Sequence, residues 1–231
     1  MTTDVVAGSE SFSHEGSSSG VLVLHGFTGS PASLRSIAEL CAQTGYSVEL
    51  PRLPGHGTTV EDMMTTTWSD WSKTAEAAYD SLAERCDRVA LVGLSMGGSL
   101  VAYVAENRTN VAGCVFINPL VKPPPAELLE GLNQMLDAGV ESFESIGSDI
   151  KKEGAVEASY DATPLVPARS LFEGVMGVHE HLPKITAPSL LISSREDHVV
   201  TSDNGDDLLE LVSGPVERVW LENSFHVATM D

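Results

Sequence analysis

Apolar positions along this chain follow two alternating rhythms. Short apolar runs read as buried strands: Val21-Leu22-Val23-Leu24, Val89-Ala90-Leu91-Val92, Val111 to Ile117 and Ser189-Leu190-Leu191-Ile192; Tyr46 to Leu50 and Val216 to Leu221, which include charged residues, read as further strands. Between them the apolar spacing changes to three and four. Leu34, Ile37, Ala38 and Cys41 predict a helix opened by Ser30-Pro31, a capping serine before proline at the first helical position, and closed by Gly45. Trp71, Ala75, Ala78 and Leu82 predict a second helix starting near Thr67–Ser69. Met96 to Asn107 and Asp206 to Val212 read as two more, with Asp203 as the cap of the latter. Strands that alternate with helices imply an α/β fold, a mostly parallel sheet with helices on both faces.

The rhythm breaks at Asn118-Pro119 and Pro123-Pro124-Pro125. From there to Pro183 no strand is expected. Leu128, Leu129, Leu132, Met135 and Leu136 give one helical face, Phe143, Ile146 and Ile150 another, and Leu171, Phe172, Val175 and Met176 a third. The expected organisation is a core of residues 1–118 and 185–231, with residues 119–184 as a small helical cap. The apolar side chains of that cap either line a pocket or hold the cap to the core. The serine-rich stretch Ser9 to Ser19 reads as a flexible lead-in or an edge hairpin.

Composition narrows the classes. With 231 residues and 42% hydrophobic content, one domain can bury a sizeable core. No apolar stretch approaches the roughly 20 residues of a membrane span, and Met1 to Gly20 is too polar for a secretory signal. Three widely spaced cysteines, Cys41, Cys86 and Cys114, form no metal pattern and suit reduced thiols in a cytoplasmic protein. A formal charge of −20 repels nucleic acid and anionic membranes and disfavours strongly anionic substrates. A monomer or homodimer acting on a small molecule is the expectation that remains.

The candidate chemistry centres on Gly93-Leu94-Ser95-Met96-Gly97. It follows an apolar strand and opens a helix, the layout of a nucleophile elbow that pushes a serine hydroxyl out above the sheet. A serine hydroxyl is a weak nucleophile without a base, so partners are required. Two strand ends downstream supply them. Ser193-Ser194-Arg195-Glu196-Asp197-His198 leaves the end of one strand, with Asp197 as the candidate acid and Glu196 as its adjacent alternative. Glu222-Asn223-Ser224-Phe225-His226 leaves the end of the last, and His226 is the one histidine beyond it. His198 would point away from the acid, while His179 and His181 sit near a helix end, where a cation meets the dipole favourably. The loop His25-Gly26-Phe27-Thr28-Gly29 can aim the Phe27 N–H at a scissile carbonyl, with the Met96 N–H as second oxyanion donor.

These pieces resemble an α/β-hydrolase of the bacterial carboxylesterase and monoacylglycerol lipase type. The matching segments are His25 to Gly29, Leu53-Pro54-Gly55-His56-Gly57, Gly93 to Gly98, Arg195-Glu196-Asp197 and Phe225-His226-Val227, in the family's order over almost the whole chain. The resemblance implies Ser95 as nucleophile, His226 as general base and then acid, Asp197 as its orienting carboxylate, Phe27 and Met96 as oxyanion hole, and no metal or organic cofactor. His56 matches a loop position read as structural. In this family a helix normally follows the histidine loop and packs on the sheet. The sequence stops at Asp231, so that C-terminal helix is expected to be missing.

The activity expected on these grounds is hydrolysis of carboxylic esters of short to medium acyl chains through an acyl-enzyme. A monoacylglycerol lipase, thioesterase, amidase or C–C bond hydrolase would use the same triad. A binding protein on a hydrolase scaffold and an inactive fragment are the readings from outside enzymology, and turnover against a Ser95→Ala control separates them.

Overall fold

A computed structural model of the chain describes residues 4–145 and 147–231. In chain order the elements are β1 (Phe12–His14), β2 (Ser19–Leu24), α1 (Arg35–Gln43), β3 (Ser47–Leu50), α2 (Val60–Met63), α3 (Trp68–Ala83), β4 (Arg88–Leu94), α4 (Met96–Asn107), β5 (Val111–Ile117), α5 (Ala126–Asp137), β6 (Ser142–Glu144), β7 (Ala162–Pro164), α6 (Leu165–His181), β8 (Ser189–Ser194), α7 (Asn204–Leu211) and β9 (Val216–Leu221). Seven strands form one sheet in the order β1-β3-β2-β4-β5-β8-β9. Every pairing in it is parallel except β1 with β3. The serine-rich opening therefore contributes an antiparallel edge strand.

Alternation along the central strands divides the core into two layers. Leu22, Leu24, Leu91, Cys114, Phe116 and Leu191 pack with α3, α4, α6 and α7. Val21, Val23, Val92, Leu94 and Ile117 pack with Leu34 and Ala38 on the opposite face. That second face is covered by the 3₁₀ turn Pro31–Leu34, by α1 and by a further 3₁₀ turn, Ala228–Met230. Toward β9 it thins out, and Val219 is 41% exposed.

Local signals account for the helix starts. Ser30 accepts from Ala32 N–H ahead of Pro31, opening a 3₁₀ turn that runs into α1. Thr67 and Asp70 form a reciprocal capping box at α3. Asp203 stands at the N-cap of α7, as expected, but its side chain makes no capping hydrogen bond. Helix α7 begins at Asn204, and the Asp203 carboxylate pairs with Lys122 Nζ at 2.5 Å and accepts from Thr201 instead of capping. The lysine supplies a charge-assisted hydrogen bond to this carboxylate.

Between residues 119 and 184 the helices α5 and α6 are as expected, but two expectations fail. A two-stranded antiparallel pair, β6 with β7, occurs where the sequence pattern predicts no strand. Phe143 lies on β6 and Ile150 on irregular backbone, so the second helical face does not form; Ile146 lies outside the described residues. The strands have three residues each, too short for alternation to register. The segment is anchored at several points. Tyr160 donates its hydroxyl to Gly55 O at 2.7 Å and accepts from Thr58 N–H at 3.0 Å. Gly174 of α6 faces the Trp68 indole so closely that any Cβ would overlap the ring.

Among the described residues no helix is long and apolar enough to cross a membrane.

Candidate active site

The sheet delivers the candidate groups to one edge. Loops after β2, β4, β5, β8 and β9 all leave the C-terminal ends of parallel strands, where open α/β sheets carry their sites. Ser95 sits between β4 and α4 at φ 58 and ψ −121, a conformation that strains a residue with a Cβ. Its backbone is held on both sides: Ser95 N–H donates to Ile117 O at 3.0 Å, and Ser95 O accepts from Gly98 N–H at 2.8 Å and Leu120 N–H at 3.2 Å. A Cβ at Gly93 would overlap the Gly97 carbonyl, and one at Gly97 would overlap the Leu24 carbonyl of β2. Both glycines are thus demanded by the crossing of strand and helix.

His226 and Asp197 meet. Nδ1 of His226 lies 2.8 Å from Asp197 Oδ2, with side chains only 8% and 4% exposed. The second Asp197 oxygen accepts from Val199 N–H at 2.9 Å and Val200 N–H at 2.8 Å. A carboxylate fixed in this way holds the ring with Nδ1 protonated and leaves the lone pair on Nε2. Glu196, the alternative acid, instead pairs with Lys151 Nζ at 3.1 Å on the surface. Ser95 and His226 line the same cavity, although among the described residues no hydrogen bond closes between them. Such contacts commonly tighten only when substrate is bound.

The β2 loop supplies the third component. Phe27 lines the cavity, and Thr28 holds an unusual φ of 62 for a β-branched residue. Among the described residues, neither Phe27 N–H nor Met96 N–H donates to a protein acceptor. Met96 itself is fully buried, and its N–H belongs to the first turn of α4, at the positive end of the helix dipole.

Two histidines beneath this loop are structural. His25 Nδ1 donates to Gly26 O at 2.9 Å, and Nε2 accepts from Leu53 N–H at 3.1 Å, which joins the β2 and β3 loops. Burial lowers its pKa to about 4. His56 is also fully buried, is held far below the ordinary range first by burial and then by His25, and donates Nδ1–H to Pro54 O at 3.0 Å. Its ring packs edge-on against His25, Phe27 and Trp71, so it supports the loop from behind.

The cavity measures about 530 Å³ and is mainly apolar, with Leu120, Leu128, Leu132, Phe143, Leu171 and Phe172 in its wall. Its wall also carries the carboxyls of Asp149, Glu157 and Asp203, and Glu157 is the one whose ionisation burial opposes on balance. Burial raises its pKa, and the His226 charge opposes that rise.

Two residues at this edge are not among the site candidates read from the sequence. Asn118, at φ 41 beyond β5, donates to His226 O at 2.8 Å and Phe225 O at 3.2 Å and accepts from Ser194 N–H at 2.7 Å. Asp149 accepts from His226 N–H at 3.0 Å and bonds His198 Nδ1 at 2.8 Å. Burial opposes its ionisation, but hydrogen bonds from His226 and His198 outweigh it and hold the carboxyl below the usual range. His198, expected to point away from Asp197, bonds Asp149 through Nδ1. Nothing local marks Asp149, whose partners lie 49 and 77 residues downstream.

Fold and site together define a hydrolase of the α/β type. The chain belongs to the family described as serine aminopeptidase, S33, whose model matches residues 17–231. It is 41% identical over 229 residues to a thermostable monoacylglycerol lipase of Bacillus sp. strain H-257, covering 98% of this chain and 90% of that protein. It is 25% identical over 223 residues to a carboxylesterase of Bacillus subtilis strain 168, covering 95% and 89%. A solved structure from work on LipS and LipT, two metagenome-derived lipolytic enzymes, superposes with a TM-score of 0.94 at 43% identity, covering 99% of this chain and 93% of that one.

Proposed function

We propose that this protein hydrolyses carboxylic esters through an acyl-enzyme, with Ser95 as nucleophile, His226 as general base and acid, and Asp197 as the orienting carboxylate. The observation that carries the reading is the cavity shared by Ser95 and a His226 whose Nδ1 is already committed to Asp197. His226 Nε2 takes the serine proton as Oγ attacks the ester carbonyl. Phe27 and Met96 N–H groups hold the resulting oxyanion, and the imidazolium then protonates the departing alcohol. Water, deprotonated by the same nitrogen, releases the acid and restores the serine.

Residues 119–184 act as a cap over this centre, and their apolar side chains accept the acyl chain. Their Leu, Phe and Pro residues in the cavity wall support short to medium chains. A monoacylglycerol is the second reading. It is favoured by the likeness to the monoacylglycerol lipase of Bacillus sp. and by Glu157, a carboxyl suited to the hydroxyls of a polyol leaving group. The enzyme works in the cytoplasm on small molecules, as a monomer or homodimer.

Initial rates on p-nitrophenyl esters from acetate to palmitate, beside monoacylglycerols of the same chains, test the assignment. A maximum at short to medium chains supports the carboxylesterase. Faster turnover of long-chain monoacylglycerols transfers the assignment to the lipase.

A further inference from the structure

We infer that Asp149 is a positioning residue for His226, gripping the histidine's backbone from the 119–184 segment so that this segment sets the register of the base. The inference rests on the Ser95–His226–Asp197 reading. Asp197 fixes one edge of the imidazole, but where the ring stands above Ser95 also depends on the peptide that carries it. That peptide is held at both ends. Asn118 donates to the His226 carbonyl at 2.8 Å from the end of β5, within the sheet. Asp149 accepts the His226 N–H at 3.0 Å, and its own carbonyl accepts from Val227 N–H at 3.0 Å.

The same carboxylate reaches the other loop of the site. It bonds His198 N–H at 3.2 Å and His198 Nδ1 at 2.8 Å, one residue beyond Asp197. One side chain, 10% exposed, therefore bridges the loops that carry the acid and the base. Adjacent residues continue the seam. Lys151 and Lys152 N–H groups donate to Asp231 Oδ1 at 2.6 and 2.8 Å, while Asp231 Oδ2 accepts from Phe225 N–H at 2.9 Å. The loops after β8 and β9 lie past the end of their ladder, so these contacts replace the strand pairing that would otherwise hold them. Asp149 also lines the cavity, and the rival role is that of simple wall.

The test measures kcat and KM on p-nitrophenyl butyrate, the rate of Ser95 phosphonylation by a fluorophosphonate, and melting temperature, for wild type, Asp149→Ala, Asp149→Asn and His198→Ala. Displacing a catalytic group by about an ångström costs on the order of 100-fold, so Asp149→Ala is expected to lower kcat about 10- to 100-fold with KM within about threefold. Phosphonylation slows in parallel. Asn retains one oxygen for the His226 N–H, so Asp149→Asn recovers at least several-fold of that loss. It also decides the matter if the alanine variant does not fold. His198→Ala keeps the backbone N–H bond to Asp149 and loses only the Nδ1 bond, so its loss in kcat is expected to be smaller than that of Asp149→Ala. Unchanged kcat in both Asp149 variants, or a rise in KM alone, overturns the inference. Wild type that reacts with the fluorophosphonate but hydrolyses no ester defeats the ester reading alone, and the labelling rates still judge Asp149.

Discussion

Gly97 of α4 lies against the carbonyl of Leu24 in β2, with no room between them for a Cβ. The obstruction is backbone on both sides, so no side-chain rotation relieves it. Gly97→Ala is expected to lose about 1–3 kcal/mol or more by overpacking and to displace the serine turn. Gly131, in the interior of α5, has open space where a Cβ would stand, with nothing within 4 Å, and Gly131→Ala should gain about 0.5–1 kcal/mol from helix propensity. Denaturant unfolding of both variants checks the opposite signs.

Asp197 accepts the Nδ1–H of His226 and so selects the tautomer in which Nε2 is basic. Asp197→Asn offers an amide N–H toward the same nitrogen and selects the wrong tautomer. Loss of about four orders of magnitude in kcat is expected, as for other serine triads, with little change in KM or fold. Steady-state kinetics and circular dichroism on the purified variant check it.

Glu106 near the end of α4 has a carboxyl oxygen, Oε2, that is buried without a hydrogen-bond partner among the described residues, and His181 Nδ1 stands 3.6 Å from Oε1. Burial raises its pKa to about 7, opposed by the Lys184 charge and the Asn107 side chain. The folded state keeps a proton that the unfolded chain releases near its ordinary pKa of 4.5, so stability from this site falls as pH rises from 4.5 through 7. Glu106→Gln removes the titration. Its melting temperature should gain on wild type between pH 5 and pH 8, and a constant difference would contradict the assignment.

What is legible in the sequence follows from the range of the interactions involved. Val111–Ile117 and Val216–Leu221 form the strands read for them, bounded by Asn118-Pro119 after the first and Gly214-Pro215 before the second. Ser95, Asp197 and His226 stand out because each sits just past a strand end, and a parallel sheet collects such ends at one edge. Asp149 is invisible for the converse reason: its role exists only through contacts to distant loops. Phe143 and Ile150 fall at helical spacing by coincidence, whereas Asp149 and Tyr160 pin this stretch to the core from outside it. The burial of His56 likewise needs three dimensions, because His25, Phe27 and Trp71 come from separate elements.

The central claim is that Ser95 is the nucleophile of an esterase. Turnover of p-nitrophenyl butyrate by wild type and Ser95→Ala at matched concentration tests it most directly. Loss of about 10⁶-fold in kcat with an unchanged melting profile is the expected result. Equal rates in the two proteins, or no turnover by wild type, would contradict it.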